Sequence, residues 1–551
     1  MSLPGRGHQD GACPTHLGGF RLRTTCMKKL RNWLRGPTVL AALAGVAAAA
    51  VVLSVAELIG AFFTARATPV IALGSTFIDF TPPWMKDFAV TTFGTNDKAA
   101  LFVGMGLTIF VLACVLGVVA FRNWALGVLG VLGMGAVIVG AVVTRASVKP
   151  VDSIPSLIGT VAGLIVLRFL VARLWRLRSF PDAPADTAAK GLERPATTRR
   201  TFFAATGITV AAAAIAAGGG RFLSAARSNV AKARDSLKLP APARAAAPVP
   251  AGVQSPTPGV TPWLTPAKDF YRIDTALSVP EINVQDWELR IHGLVEQEVR
   301  LSFQDLLDAQ LIETHVSLTC VSNPVGGNLA GNAKWLGMPI RDALKQARPK
   351  PGADMVLSTS IDGFSASTPL DVLQDGRDAI LAIGMNGEPL PLEHGYPVRM
   401  VVPGLYGFVS ATKWVVDLEV TRFADSKAYW TTRGWSERGP IKTMARVEVP
   451  KSFARVPAGR VALGGTAWAQ TRGIKKVEIQ IDNGPWAEAT LAAEASVVTW
   501  RQWSYNWDAT PGPHYIKVRA TDGTGELQTE KRADPVPDGA SGWQSVMVTV
   551  E

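Results

Sequence analysis

The chain has 551 residues, more than one hydrophobic core supports, which predicts two or three domains. Its net charge is +12 and its mean hydropathy is +0.19, and most of that charge lies in residues 1–36 (net +6) and 173–200 (net +4), beside apolar stretches. This is the positive-inside pattern of a membrane protein, and it argues against a nucleic-acid partner.

The first part of the chain is predicted to be an all-α membrane domain, residues 38–220, behind a basic cytoplasmic N-terminus, residues 1–37. Five apolar stretches are long enough to cross about 30 Å of hydrocarbon. They are residues 38–63, 99–121, 124–143, 154–174 and 201–219. Five crossings from a cytoplasmic start place the chain after residue 220 outside the plasma membrane, and they place the loop 64–98 outside as well.

The fifth stretch follows the adjacent arginines Arg199 and Arg200, and then Phe202 and Phe203. This arrangement is typical of a twin-arginine export signal, here internal. A simpler interpretation is a membrane anchor with two adjacent arginines. The export interpretation implies a domain that folds around a cofactor before it crosses the membrane.

The remainder of the chain divides by composition into three segments. Residues 221–262 are rich in proline and alanine and are predicted to be an extended linker. Residues 263–439 show a mixed α+β pattern, including a helix that begins at the N-cap Ser302. Residues 440–551 carry short alternating strands between turns and predict an Ig-like β-sandwich without its disulfide, because the segment contains no cysteine.

Cys320 is the one cysteine of the predicted globular half, since the other three precede residue 220. It follows a predicted strand, Thr314 to Thr319, and opens a loop rich in glycine and asparagine. A lone thiol is either a small buried apolar residue or a soft ligand or nucleophile. The composition of this loop favours a thiolate that is presented to a bound group.

Several motifs appear in a fixed order around this cysteine. They are Phe270-Tyr271-Arg272, the Cys320 loop, Met385-Asn386-Gly387-Glu388-Pro389-Leu390-Pro391, His394-Gly395-Tyr396-Pro397-Val398-Arg399, Val402 to Gly407, and Lys413-Trp414. As a set they resemble the sulfite oxidase family of molybdenum enzymes, in a membrane-anchored bacterial form. The resemblance covers roughly residues 260–551, and it implies a molybdopterin-binding domain at 263–439 and an Ig-like dimerisation domain at 440–551.

The resemblance implies a molybdenum–molybdopterin cofactor with Cys320 as the protein ligand of the metal, because a thiolate supplies a soft anionic donor. Asn323 is expected beside the metal site as a second catalytic residue. The cofactor phosphate requires fixed cations and hydrogen-bond donors. The residues that the match assigns to cofactor binding are Tyr271, Arg272, Asp362, His394, Arg399, Ser410, Thr412 and Lys413.

Two departures limit what the resemblance implies about the substrate. Sulfite oxidases carry an arginine in the loop that follows the ligand cysteine, whereas this chain has no basic residue between Cys320 and Lys334. They also place a tyrosine near the metal, where this chain has Phe364. Sulfite is therefore doubtful, and a sulfoxide or N-oxide that is reduced by oxygen-atom transfer is the alternative substrate.

The chain has no haem domain of its own, so the expected partners are a small-molecule substrate and a separate electron carrier or quinone. The lipid bilayer is a further partner, and a homodimer through the C-terminal domain is left open. Two other functions are weighed. One is a non-catalytic surface-anchored binding or assembly module that kept the fold, and the other is a transporter, which rests on the five spans alone.

Overall fold

The computed structural model describes residues 36–63, 69–82, 85, 92, 97–144, 150–179, 199–227, 230–276 and 278–551. These residues form two compact units that divide between Ser224 and Ala225. The basic N-terminus predicted for residues 1–37 lies almost wholly outside the described residues, and so does most of the basic segment that ends at Arg200.

The first unit is helical and apolar. Its helices are α1 (Pro37–Gly60), α2 (Pro69–Phe80), α3 (Asp97–Arg122), α4 (Trp124–Val143), α5 (Ile154–Ser179) and α6 (Arg199–Arg227). Five helical segments of 20 to 27 residues are long and apolar enough to cross a membrane, and they coincide with the five predicted stretches to within a few residues. Helix α2 lies in the stretch predicted as a loop; it has 12 residues, fewer than a crossing needs.

Glycines allow two of these helices to approach closely. A Cβ atom at Gly45 of α1 would lie 2.0 Å from the carbonyl oxygen of Ala113 in α3. A Cβ atom at Gly117 would lie 2.2 Å from the carbonyl oxygen of Ala41. Backbones in such contact gain dispersion energy, which is the main attraction between helices where water is absent.

The segment 221–262 differs from the predicted free linker. Helix α6 continues to Arg227, and a short helix α7 (Val230–Ser236) follows. Arg234 then donates hydrogen bonds to the carbonyl oxygens of Pro389 and Leu390, at 2.7 and 2.8 Å. The chain from residue 237 onward is extended as predicted, but it is packed on the second unit because Val253 and Val260 are buried there.

The first part of the second unit consists of one mixed and one antiparallel sheet with short helices. Its elements are β1 (Glu288–Gly293), β2 (Val299–Ser302), α8 (Phe303–Leu307), β3 (Ile312–Thr319), β4 (Ala330–Pro339), α9 (Ile340–Ala347), β5 (Met355–Ser360), β6 (Ser365–Pro369), α10 (Leu370–Gln374), β7 (Ile380–Met385), β8 (Glu388–Pro389), β9 (Arg399–Val401) and β10 (Val415–Thr421). One sheet has the order β2-β1-β10-β5-β6 and the other β3-β4-β7-β8, with β9 paired to β7. The strand predicted before Cys320 is confirmed as β3.

Local sequence signals account for several element ends. Ser302 forms the predicted N-cap of α8, because its hydroxyl accepts from the Asp305 N–H while the Asp305 carboxylate accepts from the Ser302 N–H. Strand β3 alternates little and is buried almost throughout. It therefore ends inside the unit, which places Cys320 in the interior.

The C-terminal part consists of two further sheets around a core of their own. Its strands are β11 (Met444–Val449), β12 (Arg455–Val456), β13 (Gly459–Trp468), β14 (Ile474–Ile481), β15 (Ala487–Glu488), β16 (Thr490–Leu491), β17 (Arg501–Ala509), β18 (Gly512–Asp522) and β19 (Gln544–Val550). The sheet orders are β11-β13-β17-β16 and β12-β19-β18-β14-β15. Side chains such as Leu463, Trp503 and Val518 are fully buried in this core.

Candidate active site

The second unit contains a cleft with Cys320 on its wall. The cleft has about 870 Å³ of empty space, part of which is open to solvent. Its walls come from distant parts of the sequence, within residues 270–275, 320–322, 360–364, 394–399, 407–414 and 430–435. The cleft therefore exists only in the folded unit.

The Cys320 loop is closed on itself by hydrogen bonds. The Cys320 N–H donates to the Leu329 carbonyl at 2.9 Å, and the Leu329 N–H donates to Oδ1 of Asn323 at 2.9 Å. Gly327 completes the closure, since a Cβ atom there would lie 2.4 Å from the same Asn323 oxygen. Asn323 is buried and is not among the residues that line the cleft. The structure thus shows a loop-closing role for Asn323, and its expected position beside the metal stays a prediction.

The Cys320 thiol reaches the cleft from a buried position. The residue is 8 % exposed, and burial raises the pKa of the thiol, although hydrogen bonds from Ser322 oppose that shift. A thiol of this kind is protonated at neutral pH without a cation beside it. Its conversion to a thiolate therefore requires a bound metal or another positive charge.

Two buried cations lie side by side in the cleft. Arg399 and Lys413 are 5 % and 8 % exposed. Gly395, at φ +111°, lies between them, because a Cβ atom there would be 3.0 Å from Cβ of Arg399 and 3.1 Å from Cβ of Lys413. The glycine of the His-Gly motif is therefore required by this close packing as well as by its backbone conformation.

The two cations differ in their hydrogen-bond partners, which are main-chain carbonyls for Arg399 and a carboxylate for Lys413. Arg399 donates to the main-chain carbonyls of His394 (3.1 Å) and Ala411 (3.4 Å), and burial lowers its pKa to about 10, so it stays charged. Lys413 donates to Asp274 at 2.7 Å, and burial lowers its pKa to about 8 despite that carboxylate. The pair thus offers positive charge to an anion.

His394 lines the cleft but is not one of its cations. Burial lowers its pKa to about 4, and the neighbouring Arg399 adds to that effect. Its Nε2 atom lies 2.9 Å from the Ala267 carbonyl, so Nε2 carries the proton and donates, and Nδ1 is left as an acceptor. His394 therefore reaches the cleft as a neutral imidazole, and its expected contact with the cofactor stays a prediction.

Three further predicted residues support the fold around the cleft without lining it. Arg272 is partly exposed and pairs with Asp274 at 2.9 Å. The Ser410 hydroxyl donates to the Tyr406 carbonyl at 2.9 Å. The Thr412 hydroxyl lies 2.7 Å from that of Ser358. Because these hydroxyls are used inside the protein, the predicted contact with a cofactor does not follow for their side chains.

Tyr271 and Asp362 both line the cleft. Tyr271 stacks on Phe270 with ring centroids 5.3 Å apart, and burial together with the nearby Cys320 raises the pKa of its phenol. Asp362 accepts a hydrogen bond from the Thr275 hydroxyl at 3.2 Å. The cleft therefore contains a protonated phenol near the thiol, although the position that the family resemblance suggested for one holds Phe364.

The sequence reasoning missed Asp274 and the aromatic wall of the cleft. The wall contains Phe408, Trp430 and Trp435 in addition to Phe364. The ring centroids of Trp430 and Trp435 are 6.1 Å apart, and those of Phe408 and Trp435 are 5.9 Å apart. The only signal in the sequence was the density of aromatic residues between 429 and 435 in a stretch that otherwise resembles a loop.

Comparison with known proteins agrees with this site. Residues 276–430 match the oxidoreductase molybdopterin binding domain. The chain is 33% identical over 153 residues to the uncharacterized oxidoreductase YuiH of Bacillus subtilis, covering 28% of this chain and 74% of that protein. It is 28% identical over 288 residues to the mitochondrial sulfite oxidase of Mus musculus, covering 44% of this chain and 52% of that protein.

The chain belongs to the sulfite oxidase family of molybdopterin-dependent oxidoreductases. It spans about half the length of the mammalian sulfite oxidases that it matches. Among solved structures, the sulfane dehydrogenase SoxCD from Paracoccus pantotrophus aligns with a TM-score of 0.47 and 24% identity, covering 52% of this chain and 83% of that chain. The cofactor of the family is molybdenum bound by molybdopterin.

The residues of the cleft fit this cofactor. Cys320 is a soft donor, and no group of three or more His, Cys, Asp and Glu side chains arranged for a metal occurs in the described parts of the chain. A metal held by the cofactor would take the Cys320 thiolate as a soft protein ligand. Arg399 and Lys413 would hold the phosphate, because both are buried and cationic and line the same cleft as Cys320.

Proposed function

We propose that this chain is a membrane-anchored molybdenum oxidoreductase that transfers an oxygen atom to or from a small substrate on the outer face of the membrane. The observation that carries the proposal is the buried thiol of Cys320 in a cleft that also contains two buried cations. The bound cofactor supplies the two-electron oxygen-atom chemistry, while the protein supplies position and charge.

Specific residues of the chain have separate roles in this proposal. Cys320 ligates the metal, and Arg399 and Lys413 neutralise the phosphate of the cofactor. Tyr271 is the candidate hydrogen-bond donor near the thiol, since it lines the cleft and the raised pKa of its phenol keeps it protonated. Asn323 acts by closing the loop that presents Cys320.

The walls of the cleft favour a neutral substrate over sulfite. The loop after Cys320 contributes Val321 and Ser322 to the cleft and no cation, while the outer wall is aromatic. An anion such as sulfite would lose its hydration there without a dedicated positive charge. A sulfoxide or N-oxide loses its oxygen as water when two electrons and two protons are supplied, so no charged substrate is required.

The electrons must come from a separate carrier or from a quinone in the bilayer. We also propose that the two C-terminal sheets form an Ig-like sandwich, which leaves a homodimer through this part of the chain as a further expectation. The five apolar helices support the membrane anchor, and the basic N-terminus supports a cytoplasmic start.

Metal analysis and activity measurements test the proposal. The full chain, made in a host that synthesises molybdopterin, should contain about one molybdenum per chain, because Cys320 is a single thiolate ligand. Cys320→Ser should abolish reduction of dimethyl sulfoxide or trimethylamine oxide by reduced viologen, and wild type should be slower with sulfite and ferricyanide. A wild-type chain without molybdenum from such a host would refute the proposal.

A further inference from the structure

The Cys320 loop is in contact with the C-terminal sheets. Arg446 of strand β11 donates from Nη1 to the carbonyl oxygen of Gly327 at 2.8 Å. These two residues are 119 positions apart in the sequence. The loop that presents the thiol is therefore held by a charged donor from another part of the fold.

Arg446 is itself fixed in place. Its side chain is 6 % exposed and pairs with Glu448, with Nε and Nη2 both 2.7 Å from Oε1. The rings of Trp468 and Trp500 lie 5.7 and 5.6 Å from its guanidinium carbon. A planar guanidinium held between a carboxylate and two indole rings has little rotational freedom, so its remaining donor is pre-oriented toward Gly327.

The carboxylate behind Arg446 is anchored as well. Glu448 accepts from the Thr261 N–H at 2.7 Å and from the Thr466 hydroxyl at 2.9 Å. The position of the guanidinium is thus set by the main chain of the segment that enters the second unit and by the neighbouring strand β13. The hydrogen bond to Gly327 is therefore the last in a connected series that runs from Thr261 and Thr466 through Glu448 to Arg446.

A second contact presses on the same turn of the loop. Gly326 has φ +77°, and a Cβ atom there would lie 2.6 Å from Cδ of Gln544 in strand β19. The Gln544 Oε1 atom accepts from the Val447 N–H at 2.6 Å, which fixes that side chain. Gly326 and Gly327 are therefore both seated against the C-terminal sheets.

The strand that leads into Cys320 is held from the same part of the chain. The Ser317 hydroxyl accepts from the Trp500 N–H at 2.8 Å, and the Ser317 N–H donates to the Val498 carbonyl at 3.1 Å. Gln470 donates to the Ser317 carbonyl and accepts from the Gly404 N–H at 2.9 Å. Both the entry to the cysteine and the loop after it are thus tied to residues beyond 440.

We propose that Arg446 is a positioning residue for Cys320, and that the C-terminal sheets act within one chain as a clamp on the ligand loop. The clamp keeps the loop closed, so the thiol has one fixed position in the cleft before any cofactor arrives. This role is separate from dimerisation. It rests on the proposed function only in that Cys320 is the residue whose position matters.

Alkylation of Cys320 in the cofactor-free full chain measures loop closure directly. The chain is purified in detergent from a host without molybdopterin synthesis, and the rate of iodoacetamide labelling is followed on the Cys320 peptide by mass spectrometry. Arg446→Gln should raise this rate about tenfold, because the loss of a charged hydrogen bond favours the open loop by that factor. Arg446→Lys retains a charged donor and should restore most of the protection.

Arg501→Gln is the matched control. Arg501 lies in strand β17 of the same sheet and also donates to main-chain carbonyls, those of Ala492 and Ile474, both at 2.8 Å. It should leave the Cys320 labelling rate unchanged. If Arg446→Gln fails to fold, Gln544→Ala removes the second contact and should raise the rate severalfold.

Wild-type labelling rates in both loop variants would overturn the proposal, and so would an equal increase in Arg501→Gln. In the cofactor-loaded chain, Arg446→Gln should also broaden the electron paramagnetic resonance signal of the one-electron-reduced molybdenum, Mo(V), which loss of general stability would not do. Because labelling is measured without cofactor, failure of the clamp is distinguishable from failure of the proposed function, which metal analysis tests.

Discussion

At the scale of single residues, burial decides what each titratable group of the cleft can do. Arg399 keeps its charge with main-chain carbonyls as partners, whereas His394 loses its charge in the same surroundings. The difference follows from their ordinary pKa values, because desolvation of similar size neutralises an imidazole and leaves a guanidinium charged. Residue type alone could not separate the two roles.

Lys413 gives the cleft a pH dependence. Its pKa is lowered to about 8, so it is charged below that pH and neutral above it. Millimolar phosphate should raise the melting temperature of the cofactor-free chain, because it binds near Lys413. We expect this increase in melting temperature to become smaller as the pH rises through about 8. Lys413→Arg should keep the phosphate effect up to pH 9.5, and a wild-type effect that is constant over this range would contradict the assignment.

In the chain without phosphate, the lowered pKa of Lys413 makes the folding stability increase with pH instead of decrease. The unfolded chain binds more protons at Lys413 than the folded chain between about pH 8 and 10.5, the ordinary pKa of a lysine. Stability from this group therefore rises with pH in that window, as the cost of a buried charge is relieved. Loss of the phosphate effect above pH 8 thus cannot be ascribed to unfolding through Lys413.

At the scale of elements, the functional unit is the loop between β3 and β4. Strand β3 brings Cys320 to the cleft because it is buried along its length, and the loop closes through Asn323 and Leu329. The Gly/Asn-rich composition that first marked this loop has a physical reason. Gly327 leaves room for the Asn323 side chain, and Asn323 supplies the acceptor that a main-chain N–H would otherwise lack.

Asn323→Ala tests the closure of this loop. It leaves the partly buried Leu329 N–H without its partner, which should lower the free energy of unfolding by about 1–3 kcal/mol. Asn483→Ala, in an exposed hairpin turn of the C-terminal part, should stay within about 0.5 kcal/mol of wild type. Denaturant unfolding measures the free energy of unfolding of both variants. Equal values for the two variants would contradict the loop-closing role of Asn323.

At the scale of the whole molecule, the chain combines an apolar helical unit with a unit suited to a cofactor. The apolar segments are 20 to 27 residues long, and the adjacent arginines stand at the start of α6. A metal cofactor that is inserted during folding would need an export route for folded protein. The proposed twin-arginine signal and the proposed cofactor therefore support one another.

Replacement of the two arginines tests this topology. Arg199→Lys with Arg200→Lys should leave the second unit on the cytoplasmic side, because charge is retained while the paired guanidinium groups are lost. Arg173→Lys with Arg176→Lys is the matched control and should not change the orientation. Protease digestion of spheroplasts reports the side, and a second unit exposed outside in both variants would exclude the twin-arginine route.

The sequence by itself determined the apolar helices, strand β3, the N-cap at Ser302 and the motif order that indicates the family, because each depends on residues close together in the chain. It also identified Cys320 from composition alone. The tertiary structure decided which predicted residues reach the cleft. It buried Asn323 within the loop, lowered the pKa of His394 through burial, and brought Asp274 and Trp430 to the cleft and Arg446 to the Gly327 carbonyl. Burial and contacts across more than a hundred residues set these outcomes, and no local pattern encodes them.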